Sequence, residues 1–187
     1  MNIGSNLTNH FLIAMPGLQD GNFFHTVTYI CEHNEDGAMG IVLNRPTELA
    51  LSDLLDQLEI GESNPEMGQQ PIYIGGPVQT DRGFVLHSLE KEWESTVVIA
   101  GAIGITTSRD ILQSIAIGEG PQKSLIALGY AGWGAGQLES ELKANAWLNG
   151  PADLYSLFDL PADRRWDAAA RLLGVDLNLL SGEAGHA

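Results

Sequence analysis

The fold turns on residues 11–46, FLIAMPGLQDGNFFHTVTYICEHNEDGAMGIVLNRP. Phe11–Met15 is a short, wholly apolar run closed by Pro16-Gly17, which reads as a buried strand and a turn. Asp20-Gly21-Asn22 is turn chemistry that caps a short helical turn through Phe23-Phe24. Thr26–His33 is rich in β-branched and aromatic residues and predicts a second strand. A period of two sets Val27, Tyr29, Cys31 and His33 on one face, with Thr26, Thr28, Ile30 and Glu32 on the other. Asn34–Gly37 has the composition of a hairpin turn, and Ala38–Leu43 is apolar throughout, as in a strand covered on both faces. Arg45-Pro46 ends that strand, because proline has no N–H to give to a ladder.

Working outward, Leu51, Leu54, Leu55 and Leu58 recur at helical spacing and predict an amphipathic helix. Gly61–Gln70 is a polar loop. Pro71–Gly76, Gly83–His87 and Thr96–Ala100 read as short strands, and Gly104–Thr107 leads into a helix that buries Ile111, Leu112 and Ile115. Thr107 with Asp110, or Ser108 alone, supplies its N-cap. Ser124–Tyr130 predicts another strand, Gly129–Gly136 a glycine-dense loop, and Gln137–Trp147 a helix burying Leu138, Leu142 and Ala146. A short apolar turn at Leu154–Phe158 and a helix near Asp163–Leu173, carrying Trp166, complete the chain. No repeat and no linker divides it, so residues 1–187 are expected to form one domain, with room for a small inserted lobe. Consecutive strands without intervening helices argue for α+β with a mixed sheet over a doubly wound parallel one.

Composition narrows the function classes. Nine Lys and Arg against 24 Asp and Glu give a formal charge of −15, which repels phosphate backbones and anionic lipid surfaces. The cations are scattered, with Arg164-Arg165 their only adjacent pair. Direct nucleic-acid binding is therefore not expected. A lone cysteine suits a reducing compartment. The N-terminus lacks a basic region ahead of its short apolar run, and no stretch nears the roughly 20 apolar residues of a membrane span. The expected location is cytoplasmic, with no membrane association.

Several residues carry chemistry. Cys31 and His33, two apart on one predicted strand face, would bring an imidazole towards a thiol and favour a thiolate, and His87 ends another strand. The bland alternative is that Cys31 fills the core beside Val27 and Tyr29. Arg45, following Asn44 at a strand end, could orient a carboxylate or phosphate, or could pair with a neighbouring acidic loop. Thr107 and Ser108 sit at a strand end, where clefts often form, although capping alone would explain them. No metal site is expected, since His25, His33 and His87 fall in separate elements and no paired ligand spacing occurs. The Gly129–Gly136 loop lacks the spacing of a dinucleotide or phosphate loop, and its helix opens with Glu139 and Glu141, which would repel phosphate.

Taken together, FLIAMPGLQD, TVTYICEH, GAMGIVLNRP, IGGPV, RGFVLH, TTSRD and LGYAGWGAGQLE resemble the YqgE/AlgH family of bacterial proteins, from Phe11 to at least Trp147. The resemblance implies an α+β fold built on a mixed, bifurcated β-sheet resembling a partial barrel, flanked by helices. The family name implies a regulatory role in alginate production, and the resemblance transfers no catalytic residue. The combined expectation is a protein that binds a small molecule or a protein partner, as a monomer or weak homodimer, with no cofactor. The alternative is an enzyme or redox-responsive protein using Cys31 with His33 or His87 as base. A DNA-binding transcription factor is disfavoured by charge and by the lack of a recognition motif.

Overall fold

The apolar alternation of the opening hairpin sits at the middle of a curled ten-stranded sheet in a computed structural model that describes residues 6–180. In chain order the strands and helices are β1 (His10–Ala14), β2 (Val27–Asn34), β3 (Gly37–Val42), β4 (Pro46–Ala50), α1 (Leu51–Leu58), β5 (Pro71–Ile74), β6 (Val78–Ser88), β7 (Val97–Ala100) and β8 (Ile103–Thr106). There follow α2 (Arg109–Ala116), β9 (Ser124–Gly134), α3 (Gln137–Lys143), β10 (Trp147–Pro151), α4 (Leu154–Phe158) and α5 (Ala162–Arg171). Eight strands run in the order β10-β1-β2-β3-β9-β6-β8-β7 and curl into a half-barrel. The β4–β5 hairpin branches off, with β5 parallel to β9 and the other pairings antiparallel. This is the α+β, mixed sheet expected from the residues and the bifurcation implied by the family resemblance.

β9 is where the sheet forks. Its first half lies between β5 (Ile72↔Ile126) and β6 (Val85↔Ile126), and its second half pairs with β3 (Gly37↔Gly134, Gly40↔Ala131). Gly129 marks the change of partner at φ +77°, and a Cβ there would lie 2.5 Å from the Gly76 carbonyl oxygen. Gly76, at φ +156°, would place a Cβ 2.1 Å from the Tyr130 carbonyl carbon. Only glycine fits either position, because backbone meets backbone there.

Three expectations are corrected. The glycine-dense segment is no loop: β9 runs through Gly134, with Ala131 and Trp133 buried on one face and Gly132 and Gly134 on the other. The helix after it stops at Lys143. Asn145, at φ +60°, donates to Leu142 O and Ala146 donates to Glu141 O, a left-handed C-terminal stop that asparagine performs in place of glycine. The chain so released forms β10, which covers the edge of β1 from Ala14↔Trp147 to His10↔Pro151. β3 ends at Val42, ahead of Asn44-Arg45, so Pro46 does not stop it; Pro46 instead opens β4, since the first position of a strand tolerates a missing donor.

Three groups of buried side chains follow from the alternation. Phe11, Ile13, Tyr29, Ile41 and Leu86 fill the face covered by α4 and α5. Leu51, Leu55, Ile72, Val85, Ile111 and Ile126 pack beneath α1 and α2. Leu12, Ile30, Trp133, Leu138 and Trp147 meet beneath α3. Helix α5 is tied across the first group by Arg165, which is only 5% exposed. Its guanidinium donates to Leu43 O (2.6 Å) and Leu160 O (3.1 Å) and lies 5.2 Å from the Tyr73 ring centre. Trp166 Nε1 adds a bond to Ala14 O at 2.9 Å.

One buried polar group breaks the pattern. The Thr28 hydroxyl has no hydrogen-bond partner, and its methyl group packs over Gly40, where a Cβ would come within 2.7 Å of it. An unpaired buried hydroxyl costs about 1–3 kcal/mol of desolvation. Thr28→Val is therefore expected to stabilise the protein by about 1 kcal/mol, raising Tm by about 2–4 °C in a calorimetric scan. A fall in Tm would show that the hydroxyl is satisfied in solution.

Candidate functional site

The Cys31–His33 pair is separated by a β-bulge. The β2–β3 register passes from Ile30↔Gly40 to Glu32↔Met39, leaving Cys31 as an extra residue. A bulge shifts the alternation, so the residues after it face opposite to the simple period. Cys31 stays with Tyr29 in the first core group, 8% exposed, its Sγ 3.8 Å from Tyr29 O. Burial, reinforced by the Glu32 carboxylate, pushes its thiol well above the ordinary range. His33 turns to the α3 side, where Nδ1 accepts from Leu7 N (2.9 Å) and Nε2 meets Glu139 Oε2 (3.1 Å). The tautomer with its proton on Nε2 satisfies both contacts. The expectation that the two share a face is therefore corrected: thiol and imidazole lie on opposite sides of the sheet.

His87 is fully buried. Nδ1 lies 2.8 Å from Ser88 O and Nε2 2.6 Å from Thr106 Oγ1, which in turn lies 2.7 Å from Thr96 Oγ1. With a proton on Nδ1, the ring donates to the Ser88 carbonyl and accepts from Thr106. The Trp93 ring stands edge-on at 5.2 Å. Burial is the largest influence and lowers the imidazole pKa, against smaller upward pulls from the Ser88 carbonyl and Glu90.

Asn44 and Arg45 serve the loop that precedes β2. Asn44 Oδ1 accepts from Val27 N (3.0 Å) and its Nδ2 donates to His25 O (2.9 Å), imitating a strand partner. Arg45 donates to Gly21 O and Phe24 O, both at 2.8 Å, so its guanidinium holds backbone carbonyls and not the neighbouring acidic loop that was one of its two expected partners. The loop it braces carries a stack of Phe24, His25 and Trp166, with ring centres 3.8 and 4.0 Å apart.

Thr107 and Ser108 border a cleft. It lies between α1, α2 and the sheet, has a volume of about 200 Å3, and is walled by Leu54, Leu58, Val85, Leu112, Ile126 and Leu128. Asp81, Arg82, Thr106, Thr107, Ser108 and Arg109 supply its polar rim. Ser95 Oγ accepts from the backbone N–H of Thr107 and of Ser108, and Ser108 Oγ bonds Asp110, which fixes the start of α2 against the preceding loop. Gly83 also lines the cleft, and a Cβ built there meets nothing within 4 Å. Thr106 joins this cleft to buried His87, whereas Cys31, His33, Asn44 and Arg45 lie elsewhere. Asp81, Arg82, Gly83 and Arg109 were missed by sequence reasoning. The leucine stripe of α1 announced a buried face, but no residue signalled that α1 and α2 leave a gap. Among the described residues, no three of His, Cys, Asp and Glu gather as a metal set, and no helix is long and apolar enough to cross a membrane.

Two measurements follow. The folded protein holds the Cys31 proton more tightly than an unfolded chain, so little thiolate exists near the free-thiol pKa of about 8.5. Reaction with a disulfide reagent at that pH is expected to be more than about tenfold slower than in denaturant; equal rates would refute the burial. His87 has the opposite sign. Its lowered pKa keeps it neutral in the folded state, while an unfolded chain takes up a proton below about pH 6.5. The stability it confers is present above that pH and is lost as pH falls, by at most about 1.4 kcal/mol per unit. In urea titrations, the destabilisation caused by His87→Gln should therefore be smaller at acidic than at neutral pH. A gap that does not change with pH would overturn the assignment.

Known proteins resemble this chain in sequence and in fold. A family model described as AlgH-like matches residues 11–178. A UPF0301 protein of Thioalkalivibrio sulfidiphilus is 62% identical over 187 residues, covering 100% of both chains. A UPF0301 protein of Nitrosococcus oceani is 56% identical over 96% of each chain. The solution structure of the AlgH protein from Pseudomonas aeruginosa superposes with a TM-score of 0.80 at 55% identity, covering 100% of this chain and 99% of that one. A crystal structure from Corynebacterium diphtheriae, at 20% identity and a TM-score of 0.74 over 97% and 94% of the two chains, shares the fold. A matching family model over most of the chain, relatives more than half identical over nearly their full length, and a shared overall fold agree, and this chain belongs to the AlgH-like, UPF0301 family.

Proposed function

We propose that the protein acts by binding a small molecule in the cleft between α1 and α2, as a regulator rather than as a catalyst. The observation that carries this reading is the cleft itself: apolar walls, a rim of Thr107, Ser108, Arg109 and Asp81, and open space above Gly83. Its volume of about 200 Å3 is that of some seven waters at about 30 Å3 each. It is smaller than the roughly 300–1,000 Å3 of drug-sized sites. The size favours a ligand of a few heavy atoms with an apolar body and one polar end. Binding there would act on α1 and α2 together, since both pack on the same core group beneath.

The catalytic alternative loses support from burial. Cys31, His33 and His87 are each enclosed, and each imidazole already has both nitrogens engaged.

Gly83→Leu tests the reading, because the new side chain enters open space and adds no charge. Hexanol, hexanoate and hexylamine serve as probes in saturation-transfer NMR. At least one is expected to bind the wild type and to lose its signal in the Gly83→Leu variant at unchanged Tm. Equal signals from both proteins, or none from any probe, would overturn the proposal.

A further inference from the structure

The bulge that hides Cys31 also points Glu32 to the face from which His33 is turned away. There the β2–β3 hairpin, the second half of β9 and the start of β6 leave a groove of about 620 Å3, bordered by Glu32, Asn34, Asp36, Met39, Tyr130 and Gly132. The groove is shallow and open to solvent, the form of a surface that receives a segment laid across it and not of a pocket that encloses a ligand. The floor is bare sheet. A Cβ on Gly132 would rest 3.4 Å from the Tyr130 ring and 3.9 Å from Val78, so it would point into the groove, where the glycine leaves the strand uncovered. The Tyr130 ring is held in place by Phe84, edge-on at 5.7 Å.

The charge of the groove has one sign. Glu32 and Asp36 are exposed, and no Lys or Arg lines it. Among the described residues the ion pairs are His33–Glu139, Lys123–Asp159 and Arg171–Asp167, so neither carboxylate is neutralised by a cation. Arg82 is held over the Phe84 ring at 5.4 Å and bonded to Gln79. The groove therefore faces solvent as an acidic trough with an aromatic wall and an uncovered backbone floor.

We infer that this groove docks a basic, extended segment of a partner protein, one in which Arg or Lys alternates with small residues. Alternation is what an extended chain needs to place cations beside Glu32 and Asp36 while its small residues pass over the floor at Gly132. The aliphatic stems of Arg or Lys suit Met39 and Val78, and a cationic head suits the Tyr130 ring. The chain-wide charge of −15 speeds the encounter, and the groove supplies the specificity. This inference is independent of the α1–α2 cleft.

The test is fluorescence anisotropy with a labelled peptide alternating Arg and Gly, at about 0.15 M salt, where the Debye length is about 8 Å. Saturable binding is expected, with spermidine a much weaker competitor at equal charge. Gly132→Leu fills the groove without changing charge and should abolish binding at unchanged Tm. Glu32→Gln with Asp36→Asn should weaken it by about tenfold, from two exposed pairs worth up to about 1 kcal/mol each. The same charge change placed elsewhere, Glu92→Gln with Glu119→Gln, should leave affinity within about twofold, since those side chains lie beyond the groove. No peptide binding, equal loss from the two charge-removing doubles, or an undiminished affinity in Gly132→Leu would each overturn the inference. Spermidine binding as tightly as the peptide would reassign the groove to a small polycation.

Discussion

The backbone contact of Gly76 with Gly129 is the constraint on which the sheet depends. At that point one strand, β9, exchanges its β5 neighbour for β3, and the hairpin β4–β5 leaves the main path. Side chains at either glycine would force the two backbones apart, with atoms already within 2.5 Å of where a Cβ would stand. The fork allows one sheet to present two differently covered surfaces. Helices α1 and α2 pack over the β5 branch, while α3 packs over the β3 branch. The cleft lies between α1 and α2 on the β5 branch, and the acidic groove lies over the second half of β9, where it pairs with β3.

Much of this was legible in the amino acids. Phe11–Met15, Thr26–His33 and Ala38–Leu43 declare their strands through apolar content and alternation, and Leu51 to Leu58 declares its helix through spacing. The failures share a cause. Gly129–Gly136 looks like a loop because glycine lacks any strand preference of its own, yet tertiary pairing with β3 keeps Gly132 and Gly134 in a ladder. Asn145 ends α3 in a left-handed conformation that glycine more often supplies, so the sequence reading extends the helix to Trp147 and assigns no strand to Trp147–Pro151.

The candidate site was less legible than the fold, for a related reason. Period-two reasoning assumes an unbroken ladder, and a bulge at Cys31 inverts every later residue of β2. Nothing in the local composition distinguishes Thr26–His33 with the bulge from the same stretch without it. Arg45 is a different case: its guanidinium donates to the carbonyls of Gly21 and Phe24, partners that carry no sequence signal. Thr107 and Ser108 were singled out as strand-end polar groups and do border a cleft, although the gap is set by the separation of α1 and α2.

The hook made by Arg165 has a bearing on how the chain is completed during synthesis. It reaches back across 122 residues to Leu43, and the strand that covers the free edge of β1 also comes from the far end of the sequence. Until Trp147–Arg171 has left the ribosome, β1 presents an open ladder and the face bearing Phe11, Tyr29 and Ile41 has no lid. A nascent chain halted before that point would display an adhesive edge beside an uncovered apolar surface, the combination that invites capture by chaperones or by other copies. The last quarter of the chain thus acts as a seal, and the early strands remain sociable until it arrives.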